Sequence, residues 1–436
     1  MKNILTTAGM AAVAVAGFQT TCAAQTVTID EDKWWHVNAA LRGFYDDNYT
    51  AAPEELAQES FGFEVRPGFD VGHKGETHLI KLSTVYAARW FEDREDEAWD
   101  HNFIADLAGE VQLNPNHVLR LNDTFSYTSE GALLDRNGVV TSPTVVRSDG
   151  TNIRNLADLR WVGQLSRLVG LEVGYQNLFY DYDQEGVGSY SALLDRLEHQ
   201  FRAETRWTLT ETFAGIVGYW YEVVDFTGDT TIFTPPPNSV GTPTSDSRNS
   251  SSHFFVVGGD YTVSPHCFIS LRGGAQNVTY DNITGEPDQW NGFGDINATF
   301  EYEEGSFFRV GGKYGRNRTD VVGGGGGYTW DGVRWVYDDS SLTLDQETVT
   351  VYGVVSHKLT ESLTARASGQ LQFGEFNGGT WDSEAEGLYL VGFSLSYDIN
   401  QYLAVEAGYN YDRLDSDDAQ RTYSRNRVFL GVRGQF

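Results

Sequence analysis

Residues 98–114, AWDHNFIADLAGEVQLN, alternate in character with a period of two. Trp99, His101, Phe103, Ala105, Leu107, Gly109, Val111 and Leu113 fall on one side; Asp100, Asn102, Ile104, Asp106, Ala108, Glu110, Gln112 and Asn114 fall on the other. Such alternation puts successive side chains on opposite faces of a β-strand. Strands of soluble sheets run to about 5–6 residues. A strand that crosses a bilayer at a tilt needs about 9–11 and often projects beyond it. The stretch is therefore expected to span a membrane, one face in hydrocarbon and the other in water.

The pattern recurs along the chain. In 34–46, Trp35, Val37, Ala39, Leu41, Gly43 and Tyr45 oppose His36, Asn38, Ala40, Arg42, Phe44 and Asp46. In 60–71, Phe61, Phe63, Val65, Pro67, Phe69 and Val71 oppose Glu64, Arg66 and Asp70, with Pro67 removing one ladder donor. Short turns, such as 73–76, 166–169, 358–361 and 398–401, alternate with longer acidic or glycine-rich loops, such as 47–59, 131–151, 181–195, 227–250 and 320–341. Eight turns and nine loops imply about 18 strands. The expected fold is all-β: a transmembrane antiparallel up-and-down β-barrel with short periplasmic turns and long extracellular loops. The even count puts both chain ends on the periplasmic side.

The first 24 residues suit a cleaved secretory signal: Lys2, a small-residue apolar stretch over 4–18, and Cys22-Ala23-Ala24 before the cut. Residues 25–436 then form one barrel domain, in which Cys267 is the single cysteine, so no internal disulfide is expected. The 61 acidic residues against 31 basic ones argue against nucleic acid as a partner.

The last twelve residues, RNRVFLGVRGQF, place Val428, Leu430, Val432, Gly434 and Phe436 opposite Arg427, Phe429, Gly431, Arg433 and Gln435. A terminal strand ending on an aromatic residue resembles the β-signal read by the barrel assembly machinery. That resemblance implies Phe436 as an assembly signal, with periplasmic chaperones as further partners. Two aromatic girdles are expected at headgroup level. Trp90, Trp99, Tyr127, Tyr175, Tyr221 and Tyr280 make the loop-end girdle; Trp207, Tyr261, Tyr302, Tyr397, Tyr402 and Phe436 make the turn-end one.

Repeated hairpins carry a narrower likeness: VSPHCFISLRGGAQNVTY, KLTESLTARASGQLQF, LTETFAGIVGYWYE and DINQYLAVEAGYNY. Through these the chain resembles the putative beta-barrel porin family of diderm outer membranes, some members of which accompany exopolysaccharide export. The resemblance implies a cell outer-membrane location and no catalytic residues.

On closure, the last strand and the first three become neighbours and would carry Arg42, Arg66, Lys81, Arg89, Arg427 and Arg433 on their polar parity. This set is a candidate basic stripe. It would face walls bearing Asp100, Asp106 and Glu110, and such a field orients solutes and sets ion selectivity. Mutual pairing of these charges is the simpler expectation. Eighteen strands enclose more than side chains fill, so a water-filled pore follows.

Loop carboxylates at 92–97, 181–185 and 415–418 could bridge divalent ions to lipopolysaccharide. The middle one begins like a calcium loop, yet Ala192 stands where the bidentate glutamate belongs. Solvated surface charge is the plainer reading, and neither metal nor cofactor is expected. Gly323–Gly327 lacks the Gly-Lys-Ser/Thr of a phosphate loop and reads as a loop hinge. No Gly-x-Ser-x-Gly occurs, and the histidines do not converge, so an enzyme is not expected. An energy-coupled receptor is expected to carry an amino-terminal plug, whereas about nine residues lie between the cut and the first strand. Passive diffusion of small hydrophilic solutes leads, with exopolysaccharide export as the alternative.

Overall fold

A computed structural model describes residues 34–94, 98–129, 151–183, 194–227, 236–240, 245–283, 289–319, 328–337 and 343–436. The expected signal 1–24, most of loop 131–151, Ala192 and the 323–327 glycine run lie outside these residues.

The first strands are β1 (Trp35–Asp46), β2 (Ser60–Lys74), β3 (His78–Phe91), β4 (Trp99–Asn114), β5 (His117–Thr128), β6 (Asn152–Gln164), β7 (Val169–Tyr182), β8 (Arg196–Thr208) and β9 (Phe213–Phe226). The short β10 (Ser239–Val240) precedes β11 (Ser250–Ser264), β12 (Cys267–Tyr280), β13 (Gln289–Glu303) and β14 (Ser306–Asn317). Two more short strands, β15 (Tyr328–Trp330) and β16 (Trp335–Tyr337), lead to β17 (Asp345–Lys358), β18 (Leu363–Asn377), β19 (Ala385–Asn400), β20 (Leu403–Ser416) and β21 (Tyr423–Gln435).

The long strands form one 18-stranded sheet, and β1 pairs with both β2 and β21. Closure is antiparallel, from Asn38 opposite Gln435 to Asp46 opposite Arg427. Val37 and Phe436 exchange backbone hydrogen bonds of 3.0 and 2.8 Å across the seam. A closed sheet leaves no edge, which is what a β-structure in lipid requires. Barrel strands run from 12 residues in β1 to 16 in β4, enough to cross at a tilt.

The parity read from sequence holds. On β1, Trp35, Val37 and Leu41 face outward and are exposed, whereas Ala40 and Asp46 are buried on the inside. On β21 the exposed set is Val428, Leu430 and Val432. Pro67 stays within β2: its β1 pairing to Ala39 is intact, and the β2–β3 ladder skips from Val65–Ala88 to Gly68–Val85. The missing donor therefore falls on one side only.

All six turn-end girdle residues are exposed, as is Trp99 at the loop end. Tyr280 departs from expectation. It shares the inward parity of Arg272, is buried, and donates its hydroxyl to Asp345. A position near a strand end placed it at headgroup height, but parity turned it away from lipid. Four outward-facing histidines each share a hydrogen bond with a neighbouring tyrosine hydroxyl. These are Tyr86–His101 at 2.7 Å, Tyr175–His199 at 2.7 Å, Tyr219–His253 at 2.6 Å and Tyr302–His357 at 2.9 Å. An imidazole lacking such a partner on an apolar surface would leave a costly unsatisfied group.

At the loop end, β10 pairs parallel with β16, and β15 pairs antiparallel with it. This small sheet knits the loop after β9 to the loop after β14. The loop between β1 and β2 turns inward instead. Its Ala51 packs on Leu388, Leu390, Leu414 and Tyr423, all buried residues of inward parity on β19, β20 and β21.

Candidate functional site

The lumen wall takes its chemistry from the inward parity of each strand. Register sets which charges meet. Along one line of register partners Glu406 lies opposite Gly431, Gly431 opposite Arg42, Arg42 opposite Glu64, Glu64 opposite Arg89, and Arg89 opposite Asp100. Charge thus alternates along an arc from β20 to β4, interrupted by one glycine.

Glu64 is the hub. It is only 3% exposed, and it accepts from Arg42 Nη1 at 3.2 Å and Arg89 Nε at 2.5 Å, with Arg66 Nε at 3.5 Å. Arg42 reaches past Gly431 to Glu406, Nε to Oε1 at 2.6 Å. Gly431 permits this reach, since a Cβ there would lie 2.6 Å from Arg42 Cγ and 2.5 Å from the Leu41 carbonyl oxygen. The Arg42 guanidinium also sits 4.7 Å from the Phe429 ring centre, a cation–π contact. Asp100 is held by Arg94 at 2.5 Å, a residue drawn inward from the acidic 92–97 loop.

Three of the six predicted stripe residues, Arg42, Arg66 and Arg89, are therefore brought together on one carboxylate. Arg427 stands nearer the mouth, paired to Asp412 at 2.7 Å. Arg433 lies toward the turn end, 4.0 Å from Asp398. Lys81 is opposite Gly72 and Ala108, also toward the turn end and away from the Glu64 group. Asp100 joins the arc. Asp106 accepts from Thr124 Oγ1 at 2.8 Å, and Glu110 accepts from Arg120 Nε at 3.0 Å, both farther down β4.

The opposite wall is also mixed. Asp158 and Arg160 are 2.6 Å apart, Arg272 and Asp260 2.9 Å, and Arg318 and Glu222 2.8 Å. Glu406, lumen-facing by its strand parity but reached across an intervening strand, was not in the candidate set of the stripe and its facing walls. The aromatic residues Trp220, Phe254 and Phe293, which face this wall's interior, were not in it either. Their inward parity was the signal available. Among the described residues no group of three or more histidine, cysteine or acidic side chains is placed to hold a metal ion.

Loop 47–59 packs against the inner wall at the arc's side of the mouth. Asn48, 1% exposed, donates from Nδ2 to the Ala52 and Ser424 carbonyls at 2.7 and 3.0 Å, and its Oδ1 accepts from the Ala52 amide at 3.0 Å. Asp46, which takes the Asn48 amide at 3.1 Å, is clamped by Arg425 Nε at 3.0 and 2.9 Å. Tyr49 lies tilted against Phe91, ring centres 5.4 Å apart, with the Arg94 guanidinium over both rings.

Residues 343–436 match the family described as Putative beta-barrel porin 2. No curated protein sequence matches the chain. Among solved structures, the outer membrane protein OpdK of Pseudomonas aeruginosa is similar at TM-score 0.40 and 13% identity, over 92% of this chain and 99% of that one. OccAB3 of Acinetobacter baumannii gives 0.40 and 12%, over 92% and 99%. The ferric enterobactin receptor PfeA of P. aeruginosa, in mutant form, gives 0.42 and 8%, over 92% and 80%. A closed wall with an apolar outer face and a charged interior makes the chain an outer-membrane β-barrel, and its residues 343–436 are similar to the putative beta-barrel porin 2 family.

Proposed function

We propose that the barrel is a passive diffusion channel for small hydrophilic solutes, and that it works without catalysis. The observation that carries this reading is the alternating charged arc centred on Glu64, set on the inner face of an 18-strand wall. Barrels of this size leave an aqueous passage. Paired charges across one side of it hold the interior wet and present both donors and acceptors to a polar solute, favouring no single sign strongly. Outer-leaflet lipid and lipopolysaccharide would surround the loop-end girdle.

The test is single-channel recording of the purified mature chain in planar bilayers. Ohmic steps at low voltage support diffusion. A silent barrel that conducts only when a loop is cut away would instead support gated polymer export.

Phe436 is proposed as the assembly signal. Besides its seam hydrogen bonds, its ring stacks on Tyr402 with centres 5.9 Å apart. Phe436→Ala keeps the backbone bonds and removes the ring. Folded yield in cells, read as the heat-modifiable band on a cold SDS gel, is expected to fall severalfold while refolding into detergent in vitro changes little. Equal yields from the two chains in cells would overturn this role.

A further inference from the structure

Three aromatic rings meet on the inner wall opposite the Glu64 arc. Trp220 of β9 and Phe254 of β11 are register partners, with ring centres 5.9 Å apart. Phe293 of β13 reaches both, at 5.7 Å from Trp220 and 5.4 Å edge-on from Phe254. It does so by lying over Gly274, where a Cβ would come within 3.1 Å of its ring. Trp220 and Phe293 remain partly exposed toward the lumen. Phe254 is buried beneath the other two rings, and apolar surface with a few polar groups beside it is how small-molecule sites are built.

The polar groups are present. Trp220 donates its indole N–H to Glu204 at 3.0 Å, and the Arg202 guanidinium lies 5.4 Å from its ring centre. Gln276, the register partner of Phe254 on its other side, is 1% exposed, and neither side-chain polar atom has a hydrogen-bond partner among the described residues. A shielded amide with both its donor and its acceptor unused costs about 1–3 kcal/mol. Natural walls keep such a group where something else completes it.

We infer that Trp220, Phe254, Phe293 and Gln276 form a saccharide subsite, in which a neutral pyranose lays its C–H face on the rings and offers hydroxyls to Gln276 and Glu204. This rests on the channel reading and names its solute class. The cations beside the rings are already answered by carboxylates, Arg272 by Glu204 and Asp260 at 3.6 and 2.9 Å and Arg202 by Asp158 at 4.0 Å, so no unanswered positive charge is offered to an aromatic acid. An amide and a carboxylate beside an apolar platform suit hydroxyls that both donate and accept.

The test is single-channel current with maltotriose, sorbitol or benzoate added, on native, Phe293→Ala and Gln276→Leu chains. Saturable block by maltotriose is expected, absent with sorbitol, which has the hydroxyls but no ring face. The half-blocking concentration should rise about tenfold in Phe293→Ala, in the range of one lost aromatic stack. Open-channel conductance without sugar confirms that the variants fold. Equal, linear reduction by maltotriose and sorbitol, block by benzoate alone, or block unchanged in both variants would each overturn the subsite. Saturation-transfer NMR of maltotriose with the detergent-solubilised barrel reads binding without conduction. Sugar signal lost in Phe293→Ala on a barrel that passes no current would keep the subsite and discard the channel. Absence of signal on the native chain would discard the subsite.

Discussion

Glu64→Gln should turn the pore toward anions. Glu64 and Glu406 are the carboxylates that answer Arg42, Arg66 and Arg89, and Glu64 touches all three guanidinium groups. Glutamine keeps the shape and a carbonyl acceptor but removes the charge. The arc then carries one negative charge fewer against the same guanidinium groups. A change of only about 0.7 kcal/mol in anion-against-cation free energy is a roughly threefold change in permeability ratio. One charge removed at contact distance from others is larger than that at an effective dielectric of about 20. The reversal potential in a salt gradient should move at least that far toward anions. Arg89→Gln should move it the opposite way, and Lys81→Gln, away from the hub, should move it least. Removing one partner of a shielded ion pair costs about 3–5 kcal/mol. Lumen water re-solvates part of the freed guanidinium groups, so the loss in urea stability should fall below that range. Identical reversal potentials in native, Glu64→Gln and Arg89→Gln barrels would show that the arc does not set selectivity.

The wall was legible because membrane and water impose opposite demands on alternate residues. Arg42 and Leu41 could be assigned to opposite faces from β1 alone, and β4 needed no neighbour to be read as a spanning strand. Tyr280 was misplaced by the opposite habit, of reading height along the strand without parity. Which lumen charges would meet was not legible. Arg42 meets Glu64 through the β1–β2 register, and it meets Glu406 because β1 closes against β21 and residue 431 lacks a side chain. A stagger is a property of the closed cylinder, and no single strand encodes it. The basic stripe was visible as a set of like charges, and its hub was visible as one acidic residue among many. Their convergence required three dimensions. The inward turn of loop 47–59 was hidden for a related reason. Leu388, Leu390 and Leu414 look like misplaced apolar residues on a polar parity until Ala51 covers them.

That cover gives the second large effect. Four apolar side chains facing water at the mouth would be unfavourable, and their burial helps hold the loop inside rather than out in the medium. Asn48 is the other half of the latch: its amide ties the loop to itself through Ala52 and to β21 through the Ser424 carbonyl. Asn48→Ala deletes these side-chain bonds and leaves the Ser424 carbonyl and the Ala52 groups short of partners. At a net of about 1 kcal/mol per bond, 2–3 kcal/mol of docking is lost. That raises the ratio of released to docked loop roughly 30- to 150-fold. Single-channel traces of Asn48→Ala should therefore show frequent transitions to a higher conductance level that the native chain visits rarely. Replacing residues 49–57 with a short glycine-serine linker should hold the channel at that level throughout. Arg425→Gln should give an intermediate trace, because Asp46 would still take the Asn48 amide without its clamp. If the linker chain conducts at the native level, the loop does not narrow the mouth, and the constriction must be sought along the Glu64 arc instead.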